Sequence, residues 1–286
     1  GTAGIQMPKD QDPLDDVTIA LIERWINEGA LESTCDEGYF EITNIPESVT
    51  VQDNNVCFYQ SDLDVLQQFV DNSQGGENHP PSDLQPIELG TQVWENGRLI
   101  ELCSKYNGPF ECYTDYQLSG EIPVSIGNLT NLKILKLYPN HLTGIIPPEI
   151  GNLINLEYLT LEYNYLEGSI PSQIWDLANL RSLDLSRNQL IGEISDSFSS
   201  LINITYLNLS NNELTGSIPP DIGDLTNLNS LYLSNNQFTG KIPESICNLM
   251  NISYFSITDN NLCAPYPTCI EEDIGEQDTA LCYIIE

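Results

Sequence analysis

A 24-residue unit recurs without insertion from Asn131 to Met250, and no other feature restricts the fold as strongly. A unit returning at so short a period has too little apolar surface to close a core alone, so its copies must stack on one another. Complete copies begin at Asn131, Asn155, Asn179, Asn203 and Asn227. The first reads NLKILKLYPNHLTGIIPPEIGNLI; a degenerate copy precedes it and a half copy follows the last.

Within each unit a Leu-x-x-Leu-x-Leu segment alternates apolar and variable positions, the pattern of a short strand with one buried face. Leu135 and Leu137 point inward, as do Leu159 and Leu161, Leu183 and Leu185, Leu207 and Leu209, Leu231 and Leu233, then Phe255 and Ile257. Asn140, Asn164, Asn188, Asn212, Asn236 and Asn260 follow as amides able to satisfy turning backbone groups inside the coil. Gly120, Gly144, Gly168, Gly192, Gly216 and Gly240 supply a turn without Cβ. Pro123, Pro147, Pro171, Pro219 and Pro243 cannot donate to a ladder, which favours an irregular or short-helical convex side over a second full strand; Ser195 replaces the proline once.

These residues resemble the plant-type leucine-rich-repeat family, with its LxxLxLxxNxLxGxIPxxIGNLxN consensus, over about residues 98–269. The resemblance implies an α/β solenoid, a right-handed superhelix with a parallel concave sheet and disulfide-bonded caps, here preceded by a small, mostly helical N-terminal segment. Trp94 with Gly97-Arg98-Leu99 resembles the family's N-terminal cap. Leu262 to Cys269 resembles its C-terminal cap, implying Cys263–Cys269 and leaving Cys247 for Cys282. Stacking offers a rival: one period after Cys247 falls at position 271, beside Cys269, which pairs Cys247 with Cys269 and Cys263 with Cys282. Cys103 and Cys112 bracket an apparent insertion, CSKYNGPFEC, where a local bridge is expected.

The eight cysteines, Cys35, Cys57, Cys103, Cys112, Cys247, Cys263, Cys269 and Cys282, flank a central region, residues 113–246, that has none, and include no CxxC pair. With only His79 and His141 to assist, zinc spacing is poorly matched, and disulfides in an oxidising compartment are expected: a secreted or cell-surface protein. Nine Lys plus Arg against 42 Asp plus Glu give a net charge of −33, which excludes nucleic acid and anionic membranes as partners. No apolar run reaches the roughly 18 residues that a membrane span needs. The start, Gly1-Thr2-Ala3-Gly4, has neither an initiator Met nor a signal-peptide pattern, and reads as processed or excised.

Ahead of the repeats, Asp15 to Ala30 reads as an amphipathic helix, and a second helix is expected from Ser61, with Asp64 completing a capping box and Leu63, Leu66, Phe69 and Val70 on its apolar side. The polar, glycine-rich stretch from Asn72 to Pro81 reads as a linker separating this segment from the solenoid. The chain thus divides into a helical segment (1–34), a capping region and linker (35–98), the repeats (99–262) and a C-terminal cap (263–286). Residues 7–30 also resemble the closing Met-Pro loop and final helix of a c-type cytochrome domain, in which Met7 would be an axial haem ligand. The chain lacks the CxxCH attachment motif, so no haem or other cofactor is expected. Asp10, Asp12, Asp15 and Asp16 match no EF-hand spacing, and no metal site is expected.

Nucleotide-binding, metalloprotease and serine-hydrolase motifs are absent, and two histidines give little material for a catalytic triad, so the chain does not read as an enzyme. His141 occupies a variable repeat position and reads as a surface residue. Sequons at Asn128, Asn203, Asn208 and Asn251 fall within the repeat consensus. Strand alternation leaves the variable positions on the concave face, where the family it resembles binds partners. The candidates are Lys136, Tyr138, Tyr158, Tyr163, Asp184, Arg187, Tyr206, Asn208, Tyr232 and Tyr254. Recurrent tyrosine supplies large amphipathic contact area at low entropic cost, pointing to recognition or adhesion with a protein or glycan ligand. The competing reading is a structural spacer or assembly subunit, in one version attached to an upstream haem electron-transfer domain.

Overall fold

The computed structural model describes residues 35–53, 55–106, 113–194, 200–280 and 282. The expected helix over Asp15 to Ala30, and Met7 with the cytochrome-like stretch around it, lie outside these residues, as do Cys112 and Ser195.

Each repeat contributes one three-residue strand to the concave sheet: Ile134–Lys136, Tyr158–Thr160, Ser182–Asp184, Tyr206–Asn208, Ser230–Tyr232 and Tyr254–Ser256. They pair in parallel with every residue opposite its equivalent one period away, as in Leu159↔Leu183 and Leu183↔Leu207. This register is the one the leucine column demands, because a slip by one residue would turn every leucine to solvent. Leu135, Leu159, Leu183, Leu207 and Leu231 are fully buried, and each contributes about 2 kcal/mol through burial of its side chain. Arg98–Cys103, Thr91–Glu95 and Val49–Val51 extend the same sheet on the N-terminal side to nine strands.

The asparagines perform the role their position suggests. Asn164 accepts the Leu142 N–H at 3.0 Å through Oδ1 and donates from Nδ2 to the carbonyls of Leu137 at 2.8 Å and Leu161 at 3.1 Å. Asn188, Asn212, Asn236 and Asn260 repeat this arrangement, so each amide ties its own coil to the preceding one. In the first coil Tyr116 stands where later coils have asparagine. Its hydroxyl accepts from the Gly90 N–H at 2.7 Å and donates to the Glu88 carbonyl at 3.2 Å. Burial pushes this phenol up to about 12.

The convex flank differs from the expectation of irregular chain alone. Ser119–Glu121, His141–Ile145, Tyr165–Ser169, Gln189–Glu193 and Glu213–Thr215 form a second parallel sheet of five strands. The prolines do not prevent it because they lie beyond the strand ends. Pro123, Pro147, Pro171, Pro219 and Pro243 are instead the N-caps of short 3₁₀ turns, where a missing N–H costs nothing.

At the N-terminal end a helix, α1, spans Gln60–Asn72 and buries Leu63, Val65, Leu66, Phe69 and Val70. The expected capping box is not formed. Strand Cys57–Tyr59 runs directly into α1, so Tyr59 occupies the cap without a side-chain bond, and Asp64 instead accepts from Gln60 Nε2 at 2.7 Å. Asp62 points inward and is fully buried. It accepts from Arg98 Nε at 2.9 Å, Arg98 Nη2 at 3.0 Å and the Leu99 N–H at 2.9 Å. The Arg98 guanidinium lies 4.4 Å from the centre of the Tyr59 ring. Asn96 and Gly97, with φ of 52° and 72°, form the tight hairpin joining Thr91–Glu95 to Arg98–Cys103. Trp94 is fully buried edge-on against Phe58 at 4.9 Å, and its indole N–H donates to Gln92 at 2.8 Å.

The stretch from Asn72 to Pro81 does not separate this cap from the repeats. Ser73 Oγ donates to the Ser119 carbonyl at 3.2 Å, Ser119 Oγ donates to the Ser73 carbonyl at 3.0 Å, and Asn72 Nδ2 donates to the Glu121 carbonyl at 2.9 Å. One apolar core accordingly runs from Val49 through the repeats to Ile274.

Gly90 shows how tightly the cap meets the first coil: its φ is +67°, and an added Cβ would collide with the Cys103 carbonyl oxygen. Gly90→Ala is therefore expected to cost more than about 2 kcal/mol, read as a lowered midpoint in urea unfolding; an unchanged midpoint would show that this junction yields.

The C-terminal cap takes the stacked pairing, Cys247–Cys269 and Cys263–Cys282, in place of Cys263–Cys269. Cys247 lies in the 3₁₀ turn Glu244–Asn248, and Cys269 follows it by 22 residues, close to one period, which brings the two Cα atoms to 5.7 Å. Gln277 closes the asparagine ladder, donating to the Ile257 carbonyl at 2.9 Å. Cys35 pairs with Cys57. Cys103 is disulfide-bonded, while the expected partner Cys112 lies outside the described residues.

Candidate functional site

Four of the ten candidate residues are brought into one network on the concave sheet. Asp184, Asn208 and Tyr232 are register partners on three adjacent strands, and Tyr206 lies beside them. The Tyr206 hydroxyl donates to Asp184 Oδ2 at 3.0 Å, and Asn208 Nδ2 donates to the same oxygen at 3.2 Å. Ser186 donates to Asp184 Oδ1 through its hydroxyl at 2.6 Å and its N–H at 3.0 Å. Ser210 closes the next strand in the same way, its hydroxyl 2.7 Å from Asn208 Oδ1.

Asp184 is buried and faces several donors, so it serves the surface as an internal acceptor that fixes its neighbours' orientation. Burial first, and the Asp184 charge second, raise the Tyr206 phenol above its ordinary range. The Tyr206 and Tyr232 rings sit 5.8 Å apart at 53°, forming a continuous aromatic patch. Ser186 and Ser210 were not singled out in the sequence, where small residues at variable positions carry no signal of their own.

The remaining candidates are dispersed. Tyr158 and Tyr254 are exposed on the sheet, Tyr254 at its C-terminal end. Lys136 and Tyr138 are half-buried near its N-terminal end. Tyr163 and Arg187 are not on the concave sheet at all. The strands end at Thr160 and Asp184, and the chain then turns through a left-handed residue, so Tyr163 and Arg187 take φ of 57° and 56° and project from the flank. Arg187 lies 5.6 Å from the centre of the Tyr163 ring, with its Nε 3.7 Å from Glu162. The signal was present in later repeats, where Asn211, Asn235 and Asp259, of the types that tolerate this conformation, hold the equivalent position.

Residues 130–190 match the family model described as leucine rich repeat, and residues 202–246 match leucine rich repeats in two copies. The fold is a leucine-rich-repeat solenoid. Neither family match reaches the cytochrome-like residues 7–30. Among solved leucine-rich-repeat proteins, the Arabidopsis receptor kinase HAESA, in complex with the peptide hormone IDA and the co-receptor SERK1, is 36% identical over 57% of this chain and 28% of that one, with a TM-score of 0.56. PEPR1, solved with AtPEP1, is 30% identical over 72% of this chain and 29% of that one, with a TM-score of 0.61. Pollen Receptor Kinase 3 is 29% identical over 63% of this chain and 83% of that one, with a TM-score of 0.52. The chain thus spans less than a third of the length of the first two structures. No curated protein matches the sequence. Among the described residues, no helix is long and apolar enough to cross a membrane.

Proposed function

We propose that this leucine-rich-repeat solenoid is an extracellular binding module that recognises a protein partner on its concave face. The observation that carries the reading is the Asp184–Tyr206–Asn208–Tyr232 network. Its hydrogen bonds hold the Tyr206 ring in place before any partner arrives, and the Tyr232 ring packs against it at 5.8 Å, so less side-chain entropy remains to be lost on association. The similarity to HAESA and PEPR1, both solved with bound ligands, supports the same assignment. Disulfides at Cys35–Cys57, Cys247–Cys269 and Cys263–Cys282 fit an oxidising, extracellular setting. The module binds and does not catalyse, and the net charge of −33 favours a partner whose contacting surface is basic or neutral.

The test begins with the chain as bait in extracts of its own environment, followed by titration of the purified captured protein. Tyr206→Ala with Tyr232→Ala is expected to weaken binding at least about tenfold, as loss of central aromatic anchors does. Ile154→Ser, at an exposed position away from the concave strands, is the control and leaves affinity unchanged. Equal affinity in both variants, or no saturable partner at any salt concentration, would favour the spacer reading.

A further inference from the structure

On the flank where the chain leaves the concave sheet, the early coils depart from the pattern of the later ones in two adjacent columns. The position before each ladder asparagine is Asn211, Asn235 and Asp259 in the later coils, but Pro139, Tyr163 and Arg187 in the earlier ones. The position after it is Gln189, Glu213, Gln237 and Asn261 later, but His141 and Tyr165 earlier, with Gln117 one period before His141. Short polar residues satisfy the turn, so the scaffold does not require the aromatic rings. Together the early residues line a groove of about 460 Å³, within the range of small-ligand sites.

The lining is chemically specific. Tyr163 and Tyr165 leave 57% and 48% of their surface exposed, offering ring faces to the groove. The His141 ring lies 5.3 Å from that of Tyr165 and has no hydrogen bond among the described residues. Gln117 is only 8% exposed; its backbone N–H donates to the Asn78 carbonyl at 2.7 Å, but its side-chain amide has no hydrogen bond among the described residues. An amide that opens onto a groove without a protein partner is available to the donors and acceptors of a ligand. Arg187 has its charge offset by Glu162 at 3.7 Å.

We propose that this groove binds a neutral oligosaccharide. A pyranose has apolar ring faces that stack on tyrosine and a hydroxyl edge that satisfies the Gln117 amide and the His141 imidazole. A purely apolar ligand would leave Gln117 unsatisfied, and an acidic one would meet a chain of net charge −33. The site is separate from the concave network and does not depend on that network's function.

The probes are hexasaccharides of glucose, mannose, galactose and xylose, with a galacturonate hexasaccharide as acidic comparator, titrated against the whole chain. The variant Tyr163→Asn with Tyr165→Gln installs the residue types of the later coils, and Gln117→Leu removes the amide independently. Saturable binding of at least one neutral hexasaccharide is expected, weakened at least about tenfold by either variant and altered less than about twofold by Tyr206→Ala on the concave face. Binding of galacturonate alone, binding of no hexasaccharide, or neutral binding insensitive to both variants would overturn the assignment.

Discussion

Asp62→Ala is expected to cost the protein about 3–5 kcal/mol, because it strands one charge where two were paired. Asp62 is fully buried and accepts from Arg98 twice and from the Leu99 N–H. Burial pushes its carboxyl up, opposed by Arg98 and by the Leu99 N–H, so the site is held by its donors and not by solvent. Removing the carboxylate leaves the guanidinium against the Tyr59 ring without a counter-charge and leaves a buried N–H unsatisfied. The loss falls at the seam between α1 and the hairpin that starts the nine-stranded sheet, so the cap should open first. Hydrogen exchange would show this as lost protection at Leu99 and along α1. The double variant Asp62→Ala, Arg98→Met should recover part of the loss, since an apolar pair tolerates burial better than a lone charge. A single variant with unchanged stability would contradict the role given to this pair.

Asn212→Ala is expected to cost about 2–4 kcal/mol, more than removal of any single surface hydrogen bond. Its amide accepts the Leu190 N–H at 3.0 Å and donates to the carbonyls of Leu185 at 3.0 Å and Leu209 at 3.1 Å. Alanine leaves that donor and those acceptors without their partner in two adjacent coils, and in a solenoid a weakened interface is felt by both neighbours. Asn227 provides the contrast: it is exposed, and its Nδ2 donates to the Ile202 carbonyl at 2.7 Å, so Asn227→Ala should cost less than about 1 kcal/mol. Urea unfolding of the two variants decides the matter; equal losses would mean that the internal ladder contributes no more than a surface bond.

The repeat region was legible because one side-chain pattern fixes its register. Leu159 can face inward only if its strand pairs as observed with those of Leu135 and Leu183, and the asparagine that follows has no polar neighbour except backbone. The second sheet was missed for a local reason: the proline rule is sound, but Pro147 lies after Ile145, the last residue of its strand, and constrains only the turn beyond. Asp62 was missed because an acid in the first turn of a helix reads as a solvated or dipole-favoured residue, and only the return of Arg98 from 36 positions away makes it internal. The C-terminal disulfides were undecided because separations of 22 and 19 residues compete with a local six-residue loop, and stacking of coils, which favours the former, is a tertiary effect. At the concave site, alternation alone identified Asp184, Tyr206, Asn208 and Tyr232, but not that Asp184 is spent as an acceptor or that Ser186 and Ser210 complete the network.

Hydroxyl-radical footprinting of the chain with and without its captured partner tests the concave-face assignment most directly. Met250, 90% exposed at the end of a convex turn and intrinsically reactive, provides the internal reference. Protection at Tyr206 and Tyr232, extending to Tyr158 or Tyr254 while Met250 oxidises at its free rate, is the predicted result. Protection of Met250 with the concave tyrosines still reacting freely would contradict it.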